Sequence, residues 1–105
     1  MSPDIKKIRN SQIQRIVIGV PLGHHHLRAV IDLTDGMQLV LHEATLASLT
    51  RAFITTKLDP IRSAVELVGQ ELVEQREDFA AYQLLETKKC SGTVRQDLTQ
   101  ILTLK

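Results

Sequence analysis

The four histidines are the residues of this chain whose types and spacing could do chemistry. Three are consecutive, at residues 24–26, and the fourth is His42. If His26 and His42 are diagonal neighbours on paired antiparallel strands, their Cβ atoms are about 7–8 Å apart. Two imidazoles at that separation can share a divalent transition metal, with His24 or Glu43 as a third ligand. The alternative interpretation, which we favour, is a solvated polar surface beside a histidine-rich turn.

Charged residues near these histidines allow a second kind of site. Arg28 and Asp32 would share one face of a strand, where they could form an anion or acid–base site. A surface ion pair, worth at most about 1 kcal/mol, is the simpler interpretation. The only cysteine, Cys90, follows two lysines, and nearby positive charge can lower the pKa of a thiol. We interpret Cys90 as passive and expect a non-catalytic protein that needs no cofactor.

Basic residues are concentrated near the start of the chain, where they could contact phosphates. They are Lys6, Lys7, Arg9 and Arg15. The net charge is only +1, and the predicted sheet offers no aromatic side chains on which bases could stack. Nucleic-acid binding is therefore an alternative function that we do not favour.

A β-hairpin must position the histidines, and its register follows from the pattern of apolar residues. Apolar residues alternate over 27–33 and again over 37–41, on either side of Asp35-Gly36, a dipeptide typical of turns. One close register puts both apolar rows on one face, pairing Leu33 with Met37, Ile31 with Leu39 and Ala29 with Leu41. Thr34-Asp35-Gly36 is then a three-residue loop with Gly36 in the left-handed region. The same register places Arg28 opposite His42.

The first half of the chain predicts an α+β fold. Strands are expected at about 13–20, 26–33 and 37–42, forming a three-stranded antiparallel meander. Helical spacing of apolar residues then predicts a helix over 43–57, which should end near Leu58 because the residue before a proline disfavours helical geometry. We expect Leu46, Leu49 and Phe53 to cover the sheet, contributing roughly 1.5–3 kcal/mol each.

The second half of the chain is ambiguous. A stripe of residues that are apolar except for Gln75 follows at steps of four and three, as on a coiled-coil helix: Ile61, Val65, Val68, Leu72, Gln75, Phe79 and Tyr82. This spacing favours a helix to about Val73, although Gly69 opposes it by about 1 kcal/mol. The alternative is mixed structure, with strands near 64–68 and 81–85 that extend the sheet. A capping box at Thr93–Gln96 predicts a short final helix.

Length and composition limit the range of possible functions. The 105 residues fit a single domain, 1–105, with a short basic N-terminal arm at 1–11. One cysteine cannot form an internal disulfide, which favours a reducing, cytoplasmic location, and no apolar run is long enough to span a membrane.

We predict a small cytoplasmic interaction module that self-associates as a homodimer. The expected interface lies within 60–82, because a long apolar helix stripe exceeds what this small core can cover. Its residues are Val65, Val68, Leu72 and Phe79. The alternatives are a metal-binding protein using His26 and His42 and a nucleic-acid binder using the basic arm. No further protein partner is identified by the sequence.

Overall fold

The computed structural model of the chain describes residues 5–74 and 81–103. After a 3-10 turn, the elements are β1 (Ile13–Gly19), β2 (Arg28–Leu33), β3 (Gln38–His42), α1 (Glu43–Leu58), β4 (Leu67–Glu71), β5 (Tyr82–Glu86) and α2 (Ser91–Thr103). The first three strands form an antiparallel sheet in the order β1-β2-β3. The fold is therefore α+β with the predicted meander and the predicted first helix.

The β2–β3 hairpin has the register that the alternation of apolar residues predicts. Its pairs are Arg28 with His42, Ala29 with Leu41, Val30 with Val40, Ile31 with Leu39, and Asp32 with Gln38. The Leu33 amide donates to the carbonyl of Met37 at 2.9 Å, which closes the three-residue loop. Gly36 has φ of 91°, a conformation that glycine adopts without steric cost. The predicted hairpin is confirmed in register, loop length and glycine conformation.

Strand β1 runs antiparallel to β2 and forms one edge of the sheet. Val17 lies opposite Val30, and Gly19 lies opposite Arg28. The register shifts between Ile13 and Arg15, so the strand carries a bulge near its start. From Arg15 onward the pairing is regular to the end of the strand.

Helix α1 packs on β2 and β3 and also contacts β5. Of the three residues that the sequence predicts to cover the sheet, Leu46 is half-buried, whereas Leu49 and Phe53 are 50% and 65% exposed. Ser48 is buried instead. Ala52 and Thr55, close to Ser48 on the same side of the helix, are half-buried. Because α1 must approach strands from both sheets, its small side chains face them and its larger ones point away, so the predicted burial of Leu49 and Phe53 is wrong.

The helix expected from residue 60 to about Val73 does not form. Residues 67–71 and 82–86 are strands instead, close to the alternative bounds. They pair antiparallel, with Leu67 opposite Glu86 and Glu71 opposite Tyr82. They form a separate two-stranded sheet, so the expectation that they extend the meander is also wrong. Phe79 lies outside the described residues.

Gly69 explains why the strand prevails over the helix. It lies in β4, where a Cβ atom would stand 3.1 Å from Cε1 of Tyr82, so the tyrosine ring covers the glycine. Aromatic cover of this kind supports a glycine in a sheet, whereas in a helix glycine costs about 1 kcal/mol relative to alanine. The β-branched Val65 and Val68 add to the preference for extended backbone.

Helix α2 begins at Ser91, two residues before the predicted capping box. The Ser91 hydroxyl donates to the carbonyl of Ala64 at 3.2 Å, and Val94 is buried. Lys89, just before the helix, lies 3.2 Å from Glu66 and 3.5 Å from Asp97. These contacts attach α2 to the segment that precedes β4. Among the described residues, no helix has the length and apolar character needed to cross a membrane.

Candidate functional site

His26 and Glu43 form the polar contact that joins the histidine-rich turn to α1. The His26 Nδ1–H donates to Oε2 of Glu43 at 3.0 Å, and the Leu27 amide donates to Oε1 at 3.0 Å. Glu43 is the first residue of α1, where a carboxylate is stabilised by the helix dipole. The bond from Leu27, followed by that from His26, holds the pKa of Glu43 below its usual value. Both carboxylate oxygens are therefore used to fasten the turn to the helix.

The structure does not bring the histidines together as a metal centre. His42 lies opposite Arg28, as predicted, and immediately precedes α1. Within residues 5–74 and 81–103, no group of three or more His, Cys, Asp or Glu side chains could hold a metal ion. The predicted ligands His24, His26 and His42 are thus not assembled with a third donor, and His26 is bound to Glu43 instead.

Asp32 forms its ion pair with Arg15 and not with Arg28. Asp32 accepts hydrogen bonds from Nε of Arg15 at 3.1 Å and from Nε2 of Gln38 at 2.7 Å. Arg28, its expected partner, donates to the carbonyl of Leu27 at 2.9 Å. Asp32 is therefore part of a polar row across all three strands, with the ion pair supplied by β1.

Two residues of the predicted nucleic-acid site are engaged in ion pairs. Arg15 binds Asp32, and Lys6 Nζ lies 2.8 Å from Asp35 Oδ2. The Lys6 hydrogen bond, followed by one from a backbone amide, holds the pKa of Asp35 below its usual value. Lys7 and Arg9 are exposed. Phosphate binding by this arm stays a prediction, and it would compete with two existing carboxylate contacts.

Cys90 lies at the start of α2 and is exposed. Its Sγ is 3.2 Å from Oγ1 of Thr93, and hydrogen bonds from the Thr93 hydroxyl and then the Thr93 amide lower the pKa of the Cys90 thiol. The expected cause was the neighbouring lysine pair. Lys89 instead directs its ammonium group at Glu66 and Asp97. The thiol is therefore tuned by the helix start rather than by lysine charge.

Removing the Thr93 hydroxyl should make Cys90 a weaker nucleophile near neutral pH. Thr93→Val keeps the side-chain shape but removes the hydrogen bond to the thiolate, so the pKa of Cys90 should rise. The pH dependence of alkylation by iodoacetamide should then have a higher midpoint. Thr99→Val, also in α2 but bonded to the carbonyl of Arg95, is the control and should leave the midpoint unchanged. An unaltered profile in Thr93→Val would contradict this account of the thiol.

An apolar groove lies between α1 and α2, with a volume of about 660 Å³. Its principal apolar residues are Leu49 and Phe53 of α1, Val65 before β4, and Leu98 and Ile101 of α2. All of these except Val65 are about half exposed or more. The groove therefore presents an open apolar surface in the described part of the chain.

The predicted interface residues Val65, Val68 and Leu72 do not lie on a helix. Val65 lines the groove, Val68 is exposed within β4, and Leu72 is half-buried just after β4. Since β4 is a strand, these three residues do not form the helical stripe that motivated the prediction. Sequence patterns do not identify Leu49, Phe53, Leu98 and Ile101 as surface residues, because their helical spacing is that of a core.

Strand β1 supplies a second exposed apolar surface, which we call the β1 edge and define as Ile16, Val17, Ile18 and Val20. All four side chains are about half exposed. No protein-family model, curated protein or solved structure matches the chain. Function is therefore inferred from the groove, the β1 edge and the polar contacts themselves.

Proposed function

We propose that this protein is a small, non-catalytic interaction module of the cytoplasm that works as a homodimer. The supporting observation is that large apolar side chains of the described residues lie about half exposed or more at two surfaces, the groove and the β1 edge. Phe53 of the groove is 65% exposed, and Ile18 of the β1 edge is 59% exposed.

The groove and the β1 edge can supply a dimer interface, because both expose large apolar side chains. A standard protein–protein interface removes about 800 Å² of surface from each partner. Contiguous exposed apolar surface is characteristic of interaction sites. These two surfaces replace the 60–82 helix stripe as the basis of the proposed self-association.

The polar side chains favour a binding role over catalysis. Glu43, Asp32 and Asp35 each accept two hydrogen bonds that fasten neighbouring segments together. Their positions are explained by stability, since each carboxylate links residues that are far apart in the chain. The single exposed thiol, Cys90, fits a reducing compartment, where it would stay unpaired.

Sedimentation equilibrium at micromolar concentration tests the proposal. The expected mass is twice the chain mass of 11.8 kDa, with a dimer that dissociates on dilution. The measurement should be made in reducing buffer so that no disulfide through Cys90 contributes. A monomer mass over the whole concentration range would overturn the proposed function.

A further inference from the structure

The β1 edge lacks the features that normally protect an edge strand from pairing. An edge strand presents a row of unpaired amide and carbonyl groups, and proteins guard it with lysines, prolines, bulges or covering segments. In β1 the bulge falls before Arg15, and the nearest proline is Pro21, beyond the end of the strand. The one charge in the regular part, that of Arg15, is paired with Asp32 of the same sheet. The middle of the strand is therefore open to another strand.

The side chains of β1 are apolar on both faces, as in a strand with neighbours on every side. Val17 continues the outer row formed by Val30 and Val40 on the next two strands. Ile16 and Ile18 point to the opposite face, which α1 leaves uncovered at this strand. The exposed fractions of Ile16, Val17 and Ile18 are 55%, 49% and 59%. Such a strand would gain from a neighbouring strand whose side chains extend both apolar rows.

We propose that the β1 strands of two copies pair antiparallel, edge to edge, with Val17 on the two-fold axis. This inference rests on the proposed self-association and specifies its contact. The two three-stranded sheets then become one six-stranded sheet. Val17 faces Val17 of the second copy, Ile16 faces Ile18 of the second copy, and Arg15 faces Gly19. The valine row and the isoleucine row both continue across the axis.

Charge and backbone chemistry disfavour an axis at either end of the regular part and favour one near its middle. The regular part of β1 runs from Arg15 to Gly19, and Val17 is its midpoint. An axis at Arg15 would place two guanidinium groups opposite each other, beside the bulge, and like charges in that position are destabilising. An axis at Gly19 would bring Pro21 into the ladder, where it has no amide to donate. The axis at Val17 avoids both and lets Arg15 keep its bond to Asp32.

A second copy satisfies the strand better than an unrelated peptide does. Self-pairing adds β-branched residues to both apolar rows. It places Arg15 of each copy opposite Gly19 of the other, so the two like charges do not face each other. It also places the exposed side chains of Ile16, Val17 and Ile18 beside those of a second strand. Two-fold pairing of identical edges is the simplest closed assembly, because each copy uses the same patch.

Cysteine cross-linking tests the pairing, with the full chain carrying Cys90→Ser as the background. In the proposed dimer the two Cα atoms of residue 17 lie about 4.5–5.5 Å apart, within the range of about 4.4–6.8 Å that a disulfide spans. Val17→Cys should therefore form a covalent dimer under mild oxidation. Val40→Cys is the matched control, since it is the same change at a similarly exposed valine of the same row. Its two copies would be about 24 Å apart and should stay monomeric on a non-reducing gel.

Mixing two cysteine variants tests whether the two β1 strands pair antiparallel or parallel. In a mixture of Ile16→Cys chains and Ile18→Cys chains, a disulfide between the two variants should form more readily than a disulfide between two copies of either variant. Antiparallel pairing about Val17 places residue 16 opposite residue 18, whereas parallel in-register pairing would favour each residue with itself. A preference for 16–16 and 18–18 cross-links would overturn the antiparallel register.

A non-covalent measurement complements the cross-link. Val17→Lys should weaken the dimer at least tenfold in sedimentation equilibrium, because two ammonium groups meet at the axis, whereas Val40→Lys should leave it unchanged. A dimeric wild type in which Val17→Cys fails to cross-link would overturn the β1 contact and leave the proposed homodimer standing. A monomeric wild type would overturn both. The cross-link decides the question even if Val17→Lys fails to fold.

Discussion

Leu33→Ala should lower the free energy of unfolding by about 2–5 kcal/mol, the cost of truncating a well-packed leucine. Leu33 is 3% exposed and is the largest of the apolar side chains that the described residues bury. It ends β2 and lies opposite Ile13 of β1, so its side chain packs where two strand pairs meet. Because few apolar side chains of the described residues are buried, the free energy lost on truncating Leu33 should be a large fraction of the total free energy of unfolding.

Leu58→Ala is the matched control for Leu33→Ala. It removes the same atoms from a leucine that is 75% exposed at the end of α1, so the change should stay within about 0.5 kcal/mol. Urea unfolding followed by circular dichroism gives both values. Protein concentration must be the same in both series, because self-association adds to the apparent stability. Equal losses in the two variants would show that Leu33 is not part of the core.

The contrast between these leucines illustrates what local sequence could and could not predict. The hairpin was predicted because alternation and turn chemistry are local, and a slip by one residue would send an apolar row to solvent. Helix α1 was also predicted in extent. Its buried face was not, because that face depends on β5, which is about 25 residues further along the chain and in a second sheet. A helix that packs against two sheets buries small residues such as Ser48. Helical periodicity alone predicts the burial of Leu49 and Phe53 instead.

The second half of the chain shows a different limit. Its apolar spacing suits a helix, whereas its residue types suit strands, so two local signals disagree. The packing of the Tyr82 ring over Gly69 favours the strand, and that contact joins residues that no local pattern connects. The residue types predict strands here as the alternative structure, but no local pattern predicts that β4 and β5 form a sheet separate from the first one.

The polar features also divide into those that local sequence predicts and those that it does not. The position of Arg28 opposite His42 follows from the hairpin register and was predicted, and the same register places Asp32 opposite Gln38. The contact of His26 with Glu43 and that of Lys6 with Asp35 depend on the path of connecting segments, which carries no periodic signal. These long-range contacts use the same side chains that looked available for metal or phosphate. Interpreting isolated polar residues as ligands therefore overestimates what the folded chain leaves free.

Gly36→Ala should destabilise the hairpin by about 1–2 kcal/mol, the cost of a Cβ in the left-handed region. Gly36 has φ of 91°, and no heavy atom lies within 4 Å of where its Cβ would stand. The penalty therefore comes from the backbone conformation and not from a clash. Since this loop sets the register of β2 and β3, the strain acts on the element that carries Ala29 and Leu33 into the core. Thermal and urea unfolding should both report the loss.

Gly92→Ala is the opposite-sign control for Gly36→Ala. Gly92 lies in α2, also with open space around its Cβ position, but its φ is outside the left-handed region. Alanine there should stabilise the protein by up to about 1 kcal/mol, because the unfolded chain loses conformational freedom while the helix accepts the residue. The same chemical change is thus expected to act in opposite directions at two uncrowded glycines. If both variants shifted stability the same way, backbone conformation at Gly36 would not be the factor that holds the hairpin loop.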